Sequence, residues 1–78
     1  MTTELYELQE IRQSEDYKGL TSYLAVAIAE GFCEGEGASQ RQQQAAWQWL
    51  HDTRKAYSLQ GWFGRTATQL IEEGIINP

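Results

Sequence analysis

Nucleophilic catalysis needs a nucleophile, a base to take its proton and a third group to orient the base. Cys33, His51 and Asp52 supply those residue types. Their spacing does not supply the arrangement. His51 and Asp52 are adjacent within a stretch of helical periodicity, so their side chains diverge. Cys33 sits among glycines and acids, with no basic neighbour to favour the thiolate. The three read as a loop thiol and a surface histidine–aspartate pair, and no catalytic set is expected. Glu30, Glu34 and Glu36 could offer oxygens to a hard cation, but calcium loops require a fixed glycine and a closing glutamate that this segment lacks. A solvated acidic loop is the better reading. One cysteine makes neither an intrachain disulfide nor a cysteine-based zinc site. No cofactor or metal is expected.

The residues with the strongest claim to chemistry are suited to contact. In Gly61, Trp62, Phe63, Gly64 and Arg65, a glycine and an arginine occupy the opening of a helix. Gly64 there costs helix stability relative to alanine, which suggests close approach to a neighbour. Arg65 opposes the helix dipole, so it is expected to have a partner: an internal carboxylate such as Asp52, or a group on another molecule. Trp62 falls off the face of Phe63, Ala67 and Leu70. It is either a lid over the core or an exposed anchor for a partner. Trp49 lies on the flank of the preceding helix. Together Trp49, Gln60, Trp62, Arg65 and Gln69 form the predicted partner-binding surface.

Those side chains need helices to hold them. Leu5, Leu8 and Ile11 predict an amphipathic helix over residues 3–13. Ser14 followed by Glu15 and Asp16 predicts a capped start. Gly19 weakens the next turn, and Leu20, Tyr23, Leu24, Ala27 and Ile28 then share one face. This is the most apolar helix and is expected to be central, with Gly31 as its stop. Residues 32–38 are a glycine-rich loop. Ser39 and Gln42 fit a capping box. From there Ala46, Trp47, Leu50 and Tyr57 predict a helix ending between Thr53 and Tyr57. Ser58, Leu59, Gln60 and Gly61 read as a turn, with Gly61 left-handed and Ser58 capping the last helix. That helix, over residues 61–73, is expected to bury Phe63, Ala67, Leu70 and Ile71 before Gly74 ends it. Ile75 and Ile76 are expected to fold back. The prediction is all-α: a small bundle of about four short helices closing in a C-terminal αα-hairpin. It is one domain over residues 1–78, with N-terminal helices and a glycine-rich loop (1–38) and a motif-bearing hairpin (39–78).

A chain of 78 residues buries a modest core, so its three Trp, four Tyr and two Phe must supply much of the bulk. Self-association, as a homo-oligomer, is a second route to burial. The net charge of −5 opposes attraction to nucleic acid and to anionic membranes, and suits a basic protein surface. The opening residues hold no basic segment and no apolar run of signal-peptide kind. No stretch approaches membrane-spanning length. A cytoplasmic location is therefore expected. A helix–turn–helix reading exists, since Arg65, Thr66, Thr68 and Gln69 could face base edges. Glu72, Glu73 and the overall charge stand against it.

The C-terminal half resembles a known group. Ala46, Trp47, Gln48, Trp49 and Leu50, then Asp52 and Thr53, then LQGWFGRTA over residues 59–67, then LIEEG over residues 70–74 carry the likeness. They are similar to a family of very small uncharacterised proteins encoded mainly by bacteriophages, including those of cyanobacteria. One departure stands out: the family usually has glycine where this chain has Arg54. Residues 1–29 lie outside the likeness. The resemblance implies a phage origin, with the host cell's cytoplasm as the place of action, but no reaction or cofactor. By analogy with other small phage proteins, it implies an accessory protein that binds and modulates a host or phage protein.

Overall fold

The computed structural model describes residues 5–31 and 38–78. A 3₁₀ turn, Leu8–Gln13, leads into the single-turn helix α1 (Glu15–Lys18) and then α2 (Ser22–Glu30). After the connection come α3 (Gln40–Asp52), a second 3₁₀ turn (Lys55–Tyr57) and α4 (Gly61–Glu72). The fold is all-α, a small bundle without a strand among the described residues. Cys33, Glu34 and Glu36, and the predicted helix start at Thr3, lie outside those residues.

The central helix is α3, not the more apolar α2. Every other element packs on α3. Gln44, Ala45, Ala46, Trp47, Gln48 and Leu50 are all buried, so nearly its whole circumference is covered. Two glutamines can be interior because their amides are fully engaged. Gln44 Oε1 accepts from the Tyr6 N–H at 2.8 Å, and its Nε2 donates to the carbonyls of Tyr6 (3.0 Å) and Ile75 (2.8 Å). Gln48 lies one turn further along. Its Oε1 accepts from the Asn77 N–H at 2.7 Å, and its Nε2 donates to the Asn77 carbonyl at 3.2 Å. Each side chain pairs with a backbone as a neighbouring strand would.

This pairing explains why residues 5–7, the described ones ahead of Leu8, are not helical. The backbone N–H and carbonyl of Tyr6 are held by Gln44, so they are turned away from a helical ladder. The weakening expected at Gly19 is a full break. Gly19, Leu20 and Thr21 leave the helix, and Thr21 Oγ1 caps α2 by accepting from the Leu24 N–H at 3.2 Å. Ser14 caps α1 as predicted. The predicted capping box of α3 also forms: Ser39 Oγ accepts from the Gln42 N–H, and Gln42 Oε1 from the Ser39 N–H. Tyr23 does not join the buried face of α2 and is exposed.

The largest difference lies between α3 and α4. Helix α3 stops at Asp52, and Arg54 takes the left-handed conformation at φ 65°. Tyr57, predicted on the buried face of α3, belongs to the 3₁₀ turn beyond it and is exposed. Gly61 is the first helical residue of α4, not the left-handed closer. Ser58 does not cap α4, because its hydroxyl donates to the Lys55 carbonyl at 3.1 Å. Phe63 and Ala67 are buried as predicted, while Leu70 and Ile71 are half-buried. Gly74, at φ 77°, ends α4 in a Schellman arrangement: its N–H donates to Ile71 and that of Ile75 to Leu70. The tail then folds back and buries Ile76 completely.

Candidate functional site

Two groups of polar residues are built into this frame. The first binds the fold together. Asp52, at the end of α3, accepts from Arg12 Nε (2.7 Å), Arg12 Nη2 (2.8 Å), the Tyr17 hydroxyl (2.7 Å) and Gln48 Nε2 (3.1 Å). Burial alone would raise the Asp52 carboxyl, but the hydrogen bonds from Arg12, Tyr17 and Gln48 outweigh it and hold it below its ordinary value. Burial first, then the bond to Asp52, push the Tyr17 phenol up to about 12. Every lone-pair direction of this carboxylate is engaged, so it has no capacity left for a base's work.

That geometry overturns one expectation. Asp52 is not the partner of Arg65, because Arg12 occupies both of its oxygens. His51 and Asp52 diverge as predicted: His51 Nδ1 lies 2.6 Å from the Tyr57 hydroxyl, whereas Asp52 turns to Arg12. Among the described residues no group of three His, Cys, Asp or Glu side chains could hold a metal ion. Nor is any described helix long and apolar enough to cross a membrane.

The second group opens to solvent. A groove of about 470 Å³ runs between the second 3₁₀ turn and α4. Ala56, Tyr57 and Leu59 form one wall, and Gln60, Arg65 and Gln69 line it from α4 and its approach. Glycine makes this possible at Gly61. A Cβ on Gly61 would stand 3.1 Å from Arg65 Nη1, so its absence lets the guanidinium lie back over the start of the helix. A Cβ on Gly64 would meet Tyr57 Cδ1 at 3.4 Å, an ordinary contact, so the neighbour suggested for that glycine is present but does not exclude a methyl. Arg65 is exposed and has no ion-pair or hydrogen-bond partner among the described residues. Gln69 Nε2 donates to Glu73 at 3.1 Å.

Three of the five predicted contact residues, Gln60, Arg65 and Gln69, thus meet at one groove. Trp62 sits beside it. One turn beyond Trp62, Arg65 lines this groove and Thr66 lines a second groove of about 550 Å³ with Trp47, Leu70 and Ile75. Trp62 is both lid and candidate anchor. It stacks on Phe63 at 4.2 Å and meets Trp47 edge-on at 6.0 Å, yet stays 37% exposed. Trp49 is half-buried against the core and lines neither groove. Sequence reasoning missed Tyr57 and Leu59 as wall residues, because it placed Tyr57 inside α3. Comparison of the chain with protein-family models, with curated proteins and with solved structures finds no match in any of the three.

Proposed function

We propose that this chain is a small binding module of the accessory kind that bacteriophages encode. It docks on a host or phage protein in the cytoplasm, modulates it, and catalyses no reaction. The observation that carries this reading is Arg65. It stands near the start of α4, where the helix dipole disfavours a cation, and no described group pairs with it. Around it Tyr57, Leu59 and Trp62 are 43%, 36% and 37% exposed, unusual for large apolar side chains clustered on a domain this small. Arginine and tryptophan beside small apolar pockets are the residue types on which protein interfaces concentrate their affinity.

A helix–turn–helix DNA regulator is the weaker reading. Residues 53–60 separate α3 from α4, longer than the three- or four-residue turn of that motif. The test is affinity capture from a lysate of the native host, with and without nuclease, followed by mass spectrometry. One protein enriched in both samples supports the binding module. Enrichment that vanishes with nuclease supports the DNA reading. Recovery of the chain alone points to self-assembly, as a homo-oligomer, or to a partner made only during infection.

A further inference from the structure

The Arg65 groove is the basic end of an acidic protein. Between Asp52 and Glu72 the chain holds Arg54, Lys55 and Arg65 and not one acid, although its net charge is −5. Folding concentrates these cations. The Arg54 guanidinium carbon lies 5.6 Å from the centre of the Tyr57 ring, so Arg54 flanks the Tyr57 wall while Arg65 lines the groove from α4. Lys55 sits on the same 3₁₀ turn as Tyr57. Of the remaining cations, Arg12 is bonded to Asp52, Arg41 lies 4.5 Å from the Tyr6 ring centre, and Lys18 ends α1. Two of the nearby acids are already engaged. Asp52 is occupied by Arg12, and Glu73 accepts from Gln69. Glu72 lines the groove as its one acid.

Resting on the binding-module reading, we infer that the groove takes an acidic–apolar segment of the partner protein, with a carboxylate on Arg65 and an adjacent apolar side chain against Ala56, Tyr57 and Leu59. The planar guanidinium matches a carboxylate in two parallel hydrogen bonds. The apolar wall needs a side chain that a bare polyanion lacks. Gln60 and Gln69 offer amides to the segment's backbone. The same charge separation favours this face, because acids outnumber cations in the rest of the chain. A polyphosphate backbone would meet three cations and leave the apolar wall uncovered, so protein fits better than nucleic acid.

The test titrates isotope-labelled protein with four ligands and follows its amide signals. Three are blocked peptides of one length: Asp and Glu interspersed with Leu and Phe, its Asn and Gln counterpart, and an all-Glu chain. The fourth is a single-stranded oligonucleotide. The acidic–apolar peptide is expected to move the signals of Gly61, Gly64 and Gln69. The neutral counterpart is expected to bind about tenfold or more weakly, and the all-Glu peptide more weakly as well. Arg65→Ala should abolish the difference between acidic and neutral peptides without changing the unfolding temperature, since Arg65 holds nothing in the fold. Equal binding of the neutral peptide overturns the acidic chemistry and leaves docking in the groove intact. Tighter binding of the oligonucleotide overturns the choice of protein. If no ligand moves these signals, the groove is not the docking face, and the binding-module reading loses its site.

Discussion

Gln48 holds Asn77 as one strand holds the next: the Asn77 N–H donates to Gln48 Oε1 at 2.7 Å, and Gln48 Nε2 donates back to the Asn77 carbonyl at 3.2 Å. The Asn77 side chain adds a bond to Gln48 Oε1 (3.0 Å) and one to the Leu8 carbonyl (2.8 Å). The two ends of the described chain are thereby fastened to each other across α3. Gln48→Leu fills the same space but strands the part-buried backbone groups of Asn77. Leaving such groups unpaired costs about 2–4 kcal/mol, a large share of the stability of so small a domain. Urea unfolding is expected to show that loss. A change below about 0.5 kcal/mol would mean water replaces the amide without cost.

The cluster around Asp52 gives stability an acid and an alkaline edge. The folded Asp52 carboxyl lies below its unfolded value, so its contribution is present above about pH 4 and is lost as pH falls through the lowered value. Tyr17 has the opposite sign. Its folded value rises from 10.0 to about 12, so its contribution is present below pH 10 and is lost as pH climbs toward 12. Tyr6 is also raised, chiefly by its hydrogen bond to Asp16, and adds to the alkaline edge. Tyr17→Phe should soften the alkaline edge and leave Asp52 easier to protonate. Denaturant midpoints across pH, with tyrosinate absorbance alongside, check both. Ionisation of all four tyrosines together near their ordinary value would contradict the geometry.

Arg54 is the one non-glycine residue with positive φ among those described. A side chain in that conformation costs about 1 kcal/mol, partly returned by the contact of its guanidinium with the Tyr57 ring. Arg54→Gly is therefore expected to stabilise the fold by about 0.5 kcal/mol. Thermal unfolding measures it, and a fall in stability would show the ring contact to be the larger effect.

Gly64→Ala tests how close the second 3₁₀ turn comes. A methyl would sit at ordinary contact distance from Tyr57 Cδ1 (3.4 Å) and the Ala56 carbonyl (3.7 Å). The helix propensity gained should then dominate, at about 0.5–1 kcal/mol of added stability. Gly64→Leu cannot fit, and should displace Tyr57 and break its bond to His51. Stability curves for the pair, with the His51 ring signals as a local probe, separate the two effects. Loss of stability in Gly64→Ala would mean that the contact cannot yield.

Much of this fold was legible in the chain. Local signals spoke directly: Ser14 and Ser39 cap helices, Gly31 and Gly74 end them, and Phe63 and Ala67 mark the inner face of α4. The centrality of α3 was hidden, because polarity counts against burial and the partners of Gln44 and Gln48 are backbone groups more than 28 residues away. Two glutamines four apart among alanines were the available sign. The candidate site was legible in its residue types and half-legible in its place. Gln60, Arg65 and Gln69 converge, whereas Trp49 does not, because helical periodicity was carried through Thr53 to Tyr57 where the chain turns.

The central claim is that Arg65 and its groove bind another protein. The most direct measurement quantifies capture of partner from nuclease-treated host lysate by the unchanged chain and by Arg65→Ala, with unfolding temperatures measured alongside. The account predicts an unchanged unfolding temperature and loss of most of the captured partner. Equal capture by both proteins would contradict it and move the binding surface elsewhere on the molecule.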